Sequence, residues 1–454
     1  MAGSSSCTTR SSVARRRRPA PRSSSNHAAR RAATAARVAS VALGRCRSAC
    51  HGWPPTRTLA VDRSPPIPGG ARRRPRFGCM KHEPGGRFHV AATEDLITEQ
   101  RHAGRDGRRR VIYGPMSESM RIGFHLTPFW SPTDRHPTQI IDEAIQVVAV
   151  ASRMGYAWVS IGQHLLSHPT VWPQPFPMLA RMAPETGAMR LKTSVLLLPI
   201  VNAVEAAENI ATLDHISHGR LDVGVSIGYR DKELETVGLR RPDRVPKLEE
   251  SLALMKQLWA GDEVTFTGRY TRVTAGRMGF RPYQQPHPPL EMGAQSVGAT
   301  RRAARLTDGV FFGPQIAWDS VAKLAVVFRE ARQEASQPPG AVGASRALIV
   351  GPNRQAAATA ARAYLEKTFA MYRAWQMQEP TMMELQLSFD VPLESWTVCG
   401  SPADCVETIA QGRAMGLNRI GFTIYSLPGD VKARIEYLQM IAEEILRPAG
   451  ALAS

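Results

Sequence analysis

From residue 120 onward, short apolar runs alternate with longer stretches whose apolar residues recur every three to four positions. The short runs are strand candidates and the longer stretches read as amphipathic helices. RIGFHLT (121–127) is the first strand, and TQIIDEAIQVVAVASRM (138–154) is a helix stopped by Gly155. AWVSIG (157–162) is the second strand, followed by a Pro-rich loop and a short helix. LKTSVLLLP (191–199) and RLDVGVSIG (220–228) are strands 3 and 4, separated by a helix over 202–217. Helices near 231–237 and over 246–260 follow, and the alternating segment 264–273 reads as a small excursion. PPLEMGA (288–294), DGVFFGP (308–314), RALIVGP (346–352) and NRIGFTIYSLPG (418–429) complete the strands, each with a helix behind it, the last ending near 446.

Eight strands, each followed by helix, are the count that closes a (β/α)8 barrel, and runs apolar on both faces fit strands buried on both sides. A doubly wound open sheet is the competing layout. The turn after strand 1 reads HLTPFWSP, without the GxGxxG of a dinucleotide fold. The expected fold class is therefore α/β: a TIM barrel with insertions over 120–446, preceded by a disordered basic segment over 1–115.

Charge separates these two parts. Residues 1–115 hold 24 of the 58 Lys and Arg but 6 of the 39 Asp and Glu, a net of +18 out of the chain's +19. The segment is rich in Arg, Ser, Ala, Pro and Gly and has no sustained period, so it cannot bury enough apolar area to offset chain entropy. It reads as an organelle transit peptide, as a nucleic-acid-binding arm, or as sequence upstream of a true start at Met116 or Met120. Cys46, Cys50 and His51 lack a second ligand pair, so no metal is expected there. Only Cys399 and Cys405 fall after Cys79, which suits a reducing, cytoplasmic setting. No stretch approaches the ~20 apolar residues of a membrane helix.

A barrel builds its active site at the C-terminal strand ends. Here those ends carry His125, Gln163, His164, Leu197, Leu198, Ser226, Gly228, Tyr229, Arg230, Gly293, Gln295, Ser296, Phe312, Gly313 and Tyr425. Few are carboxylates and many are apolar or aromatic, which favours a flat aromatic cofactor over a metal. His164 can transfer a proton near neutral pH or bond to a cofactor ring. A metal pair of His164 with His168 is opposed by the Pro after His168 and the loop context. In GAQSVGATRRAARLTDG (293–309), small residues allow close backbone approach. The helix starting near Ser296 offers N–H groups to a phosphate, with Arg301 and Arg302 as added charge.

Three segments carry a family resemblance. ATLDHISHGRLDVGVSIGYRDKELETVGL (211–239), HPPLEMGAQSVGATRRAARLTDGVFF (287–312) and RIGFTIYSLPGD (419–430) resemble the bacterial-luciferase-like family. The resemblance covers about 121–446. It implies a TIM barrel binding FMN, or the deazaflavin coenzyme F-420, at its C-terminal mouth. Gln163-His164 falls where many members have an acidic or polar residue and a His that approaches the ring. Ser194-Val195 falls where some deazaflavin members have a non-proline cis peptide. Gly228-Tyr229 falls where certain deazaflavin dehydrogenases place a catalytic Glu, so Tyr229 speaks against their sugar-phosphate chemistry. Gly293, Ala294, Gln295, Ser296 and Gly298 match the phosphate loop, with Ala294 for the usual second Gly. The expected catalytic residue is His164; the other ten positions named in this paragraph are the expected cofactor contacts.

The function implied is a flavin-dependent oxidoreductase: a monooxygenase using reduced FMN and O2 on a small organic substrate. Trp130, Trp158, Trp172, Phe176 and Phe312 are candidates to line an apolar mouth, with loops 163–176, 264–285 and 370–398 around it. A flavin reductase would supply the reduced cofactor, and a homodimer is in keeping with the family. The alternative is an F-420-dependent hydride-transfer enzyme. An alternative of another class is nucleic-acid binding through the basic arm. No membrane partner is expected.

Overall fold

The computed structural model describes residues 120–126, 136–168, 170–375, 392–424 and 430–452. Residues 1–115, Trp130 and Tyr425 lie outside them. Eleven strands are described: β1 (Arg121–His125), β2 (Trp158–Ile161), β3 (Arg190–Leu197), β4 (Leu221–Ser226), β5 (Val264–Thr267), β6 (Arg272–Gly276), β7 (Leu290–Ala294), β8 (Gly309–Phe312), β9 (Ala341–Val350), β10 (Val398–Gly400) and β11 (Arg419–Ile424). Eight of them form the barrel, in the order β1-β2-β3-β4-β7-β8-β9-β11, and every barrel pairing is parallel. The pairing of β8 with β9, Gly309 opposite Ala341, closes the ring and rules out the open sheet.

Helix starts follow local chemistry. Asn202 caps the helix Ala203–Ile216 by accepting from Val204 N and Glu205 N. Ser401 and Asp404 make a reciprocal capping box behind Pro402. The helices cover the outer barrel face with buried apolar side chains, among them Val148, Ile210, Trp259, Phe328 and Phe369.

The structure refines the expected strands, and the expected excursion outside the barrel is present. Strand β9 starts at Ala341 rather than 346. Its early residues are small, so they lack the bulky apolar signal. They are small because the lumen is crowded: a Cβ at Gly343 would lie 2.5 Å from the Phe311 ring. The short β10 was not expected; it pairs with β9 outside the ring. The excursion is a two-stranded antiparallel hairpin, β5–β6, extending to Gly276.

One expectation is corrected: the inner face is not uniformly apolar. Alternate side chains of the strands meet in the lumen, and several are charged. Arg190 pairs with Asp222 at 2.7 Å and Lys192 with Glu291 at 2.5 Å. Arg419 reaches both carboxylates, bonding Glu291 and standing 3.7 Å from Asp222. Lys192 also lies over the Phe311 ring, 3.6 Å from its centroid. Burial pushes the Lys192 ammonium below its ordinary range, while Glu291 opposes that shift. Removing one partner of such a buried set costs about 3–5 kcal/mol, because it strands the other charges.

Above this layer, His125 bonds Ser160 Oγ through Nδ1 at 2.5 Å and Ser345 Oγ through Nε2 at 3.0 Å. Enclosure away from water, and then the Lys192 ammonium, push its imidazole down to about 3. The folded ring therefore stays neutral while the unfolded one gains a proton below about 6.5. The unfolded chain binds more protons in that window, so stability falls as pH drops from about 6.5 toward 3, by up to ~1.4 kcal/mol per unit. His125→Gln is expected to flatten this acid limb in urea melts run across that range; an unchanged slope would show that His125 does not supply it.

Candidate active site

The C-terminal ends of β2, β3, β4 and β7 converge. Gln163 follows β2, donating its backbone N–H to Val195 O at 3.1 Å and accepting from Leu197 N through its side chain at 2.9 Å. The Ser194–Val195 peptide is cis. Gly293, next to last in β7, faces this pair across β4. A Cβ there would lie 3.4 Å from Ser226 Cβ, 3.5 Å from Ser226 Oγ and 3.6 Å from Val195 Cγ1. Its absence leaves a methyl-sized notch bordered by a hydroxyl and an apolar wall. Gly228 follows β4 at φ +73°, a left-handed turn that only glycine adopts readily.

The helix Val297–Leu306 begins directly behind the notch. Its N-cap Ser296 accepts from Ala299 N at 3.3 Å, and Ser296 O takes Thr300 N at 2.9 Å. The N–H groups of Val297 and Gly298 stay outside the helical ladder, at the positive end of the helix dipole. Gly298 is exposed, and a Cβ there would meet nothing within 4 Å. Ala294 is buried in β7, and the Gln295 amide packs against Gly313. The two arginines expected to add charge are turned elsewhere: Arg301 pairs with Glu334 and Arg302 with Glu249, each at 2.9 Å.

His164 sits on the other side of the mouth and is buried. Its ring is enclosed by Trp172 at 4.6 Å, Trp375 at 4.9 Å and Tyr229 at 5.7 Å between centroids. Nδ1 is 2.8 Å from Glu233 Oε1. The same oxygen accepts from Leu165 N at 2.9 Å and from Arg230 Nη1 at 3.1 Å. Arg230 lies over the Trp375 ring, 4.0 Å from its centroid. A carboxylate acceptor at Nδ1 selects the tautomer protonated there and leaves Nε2 with its lone pair. Among the described residues, the buried Glu233 Oε2 has no hydrogen-bond partner.

The structure thus brings together Gln163, His164, Val195, Gly228, Tyr229 and Gly293, with Ser296 at the adjoining helix start. Sequence reasoning missed Glu233 and Trp375. DKELET falls in the helix expected near 231–237, and nothing in its pattern shows that Glu233 faces inward. Two aromatic candidates do not line the mouth. Trp158 is buried low in the lumen, where it meets Gly123 and Lys192, and Phe312 is buried among the outer-face residues. His164 Nδ1 is occupied by Glu233 and His168 is exposed, so the two do not form a metal pair.

Residues 120–419 match the model of the luciferase-like monooxygenase family. The chain belongs to this family. It is 31% identical over 159 residues to the oxygenase component of a flavin-dependent trigonelline monooxygenase from Acinetobacter baylyi, covering 35% of this chain and 44% of that one. It is 26% identical over 337 residues to an F420-dependent glucose-6-phosphate dehydrogenase from Nakamurella multipartita, covering 70% of this chain and 94% of that one. In the first curated relatives, the match spans about half of their length, 44%, 49% and 50%.

Among solved structures, the monooxygenase RslO1 from Streptomyces bottropensis aligns with TM-score 0.64 at 22% identity, over 72% of this chain and 99% of that one. The FMN complex of the oxygenating constituent of 3,6-diketocamphane monooxygenase from Pseudomonas putida aligns with TM-score 0.61 at 18% identity, over 74% and 100%. Both likenesses show the luciferase-like barrel fold. Among the described residues, no helix is long and apolar enough to cross a membrane.

In this luciferase-like site, Glu233 holds one face of the mouth together. Glu233→Ala removes the acceptor shared by His164, Leu165 and Arg230 and leaves a buried guanidinium unpaired. It is expected to cost about 3–5 kcal/mol in urea unfolding, with partial recovery in Glu233→Gln. A loss below ~1 kcal/mol in Glu233→Ala would show that the carboxylate is not the common anchor.

Proposed function

We propose that this luciferase-like protein is an FMN-dependent monooxygenase acting on a small organic substrate, with reduced flavin supplied by a separate reductase. The observation that carries the reading is the arrangement of the Gly293 notch: Val195 and Ser226 border it and the Ser296-capped helix start adjoins it. A planar ring fits against small residues, and its phosphate fits the free N–H groups at the helix start. The residues present suit a phosphate-bearing tricyclic cofactor. When bound, FMN would supply the electron transfer and oxygen chemistry that no side chain here can perform.

The chain's own residues do the rest. Gly293, Ser296 and the first turn of the helix would hold the phosphate end. Gln163, Ser194-Val195 and Gly228-Tyr229 would pack against the ring. His164, kept in one tautomer by Glu233, presents the Nε2 lone pair as a proton acceptor. Trp172 and Trp375 keep water from that nitrogen. The oxygenase names of relatives on this fold support the division of labour with a reductase.

A second reading, coenzyme F-420 with hydride transfer, is favoured by the long match to F420-dependent dehydrogenases, which covers nearly their whole length. Titration of the purified full chain with each cofactor separates the two. FMN is expected to bind with a shifted flavin spectrum; selective binding of F-420 would transfer the assignment to the second reading, and binding of neither would remove both.

His164→Ala is expected to lower kcat by about 10²–10⁴ while cofactor affinity holds, the range of a positioned acid–base group. Unaltered kcat would take that role from His164.

A further inference from the structure

The loop carrying Gly228 and Tyr229 is gripped from outside the barrel. Arg244 Nη1 donates to the Gly228 carbonyl at 3.0 Å, and Arg241 Nη2 donates to the Tyr229 carbonyl at 3.1 Å. Arg241 Nε also pairs with Asp231, the first residue of the helix that carries Glu233, at 2.6 Å. Between the two arginines stands Asp243. Its Oδ1 accepts from the Tyr270 hydroxyl and from Arg269 Nη2, both at 2.9 Å, and its Oδ2 accepts from Arg240 N at 3.1 Å. The Arg240 N–H and the Tyr270 hydroxyl hold the Asp243 carboxyl below the usual carboxylate range.

Arg269 and Tyr270 form the tip of the β5–β6 hairpin, which adds no strand to the barrel. Glu250 pins the same tip, accepting from the backbone N–H groups of Arg269 at 2.7 Å, Tyr270 at 3.0 Å and Thr271 at 2.7 Å. The Tyr270 side chain packs on a small apolar cluster of Leu197, Ile200, Leu234 and Leu239, against which Leu165 and Val195 also pack. The tip therefore meets the mouth by two routes. The polar route runs from Tyr270 to Asp243, and from there along the chain to Arg241 and Arg244, which reach Gly228, Tyr229 and Asp231. The apolar route runs through the cluster to the neighbours of His164 and Glu233 and to Val195.

We propose that the hairpin tip is a positioning device for the mouth, with Asp243 as the joint through which Tyr270 sets the Gly228–Tyr229 loop and thereby cofactor affinity. Tyr270 and Asp243 are positioning residues; they act through the backbone that they hold. The inference rests on the proposed flavin-type site. The loop is held by two guanidinium bonds, and the phenol–carboxylate bond fixes the segment that carries those arginines; such charge-assisted contacts are short and directional. Removing one lets the loop carbonyls drift, and a small displacement at a binding surface carries a large penalty.

The test uses the full chain. Tyr270→Phe removes only the hydroxyl, and Asp243→Asn removes the charge while keeping the shape. In either variant the FMN dissociation constant, read by fluorescence quenching, is expected to rise on the order of tenfold, with the double variant no worse than the weaker single because both break one joint. The thermal midpoint should move by only a few degrees. A lowered midpoint with unchanged FMN affinity would show a purely structural hairpin and overturn the proposal. So would fully additive losses. Should Asp243→Asn fail to fold, Arg269→Ala removes an exposed partner of the same carboxylate and is expected to weaken FMN binding in the same direction; unchanged binding there also overturns it. If the unaltered protein binds neither FMN nor F-420, the functional reading falls and this inference with it. If it binds and the variants bind equally well, the positioning inference alone falls.

Discussion

Closing eight parallel strands into a ring creates a lumen that must be filled, and the choice of filling decides what the rim can do. A barrel packed with branched aliphatic side chains is the usual solution. Here the lower lumen holds Arg190, Lys192, Asp222, Glu291 and Arg419 in mutual ion pairs. These long side chains fill volume and satisfy one another, and the positions above them become small or polar. Ser160, Ser226, Gly293 and Ser345 occupy that upper level, with His125 bonded between two of the serines. A charged plug below and a shallow floor above are two consequences of one packing constraint.

The rim divides the work among its loops. The β7 side supplies a notch and a helix start, features of backbone and absent side chains, which suit a phosphate and a flat ring. The β2 and β4 sides supply His164, Leu165 and Arg230, whose bonds converge on Glu233 Oε1, with the Tyr229 ring beside His164. Among the described residues, neither half gathers three or more His, Cys, Asp or Glu side chains that could hold a metal ion. That division fits the proposed role of binding, orienting and shielding a cofactor.

Much of the fold was legible in the sequence because bulky apolar runs mark strands and Gly or Pro marks their ends. The start of β9 was hidden because Ala341, Gly343 and Ser345 are small for lumen reasons that no local pattern reveals. The lumen charges were visible only as single interruptions, Lys192 in LKTSVLLL and Glu291 in LEMGA, which local periodicity does not interpret. At the site, glycines and the Ser296 cap were readable because backbone chemistry is local. Glu233 was not, because its meaning comes from a residue 69 positions away. Arg301 and Arg302 misled for the same reason: their partners, Glu334 and Glu249, come from other helices.

A crystal structure of the full chain grown with FMN tests the central claim most directly. The account predicts the phosphate against the N–H groups following Ser296, and the ring over Val195 between the Gly293 notch and His164. FMN bound elsewhere on the molecule, or a rim that takes up none at saturating concentration, would contradict it.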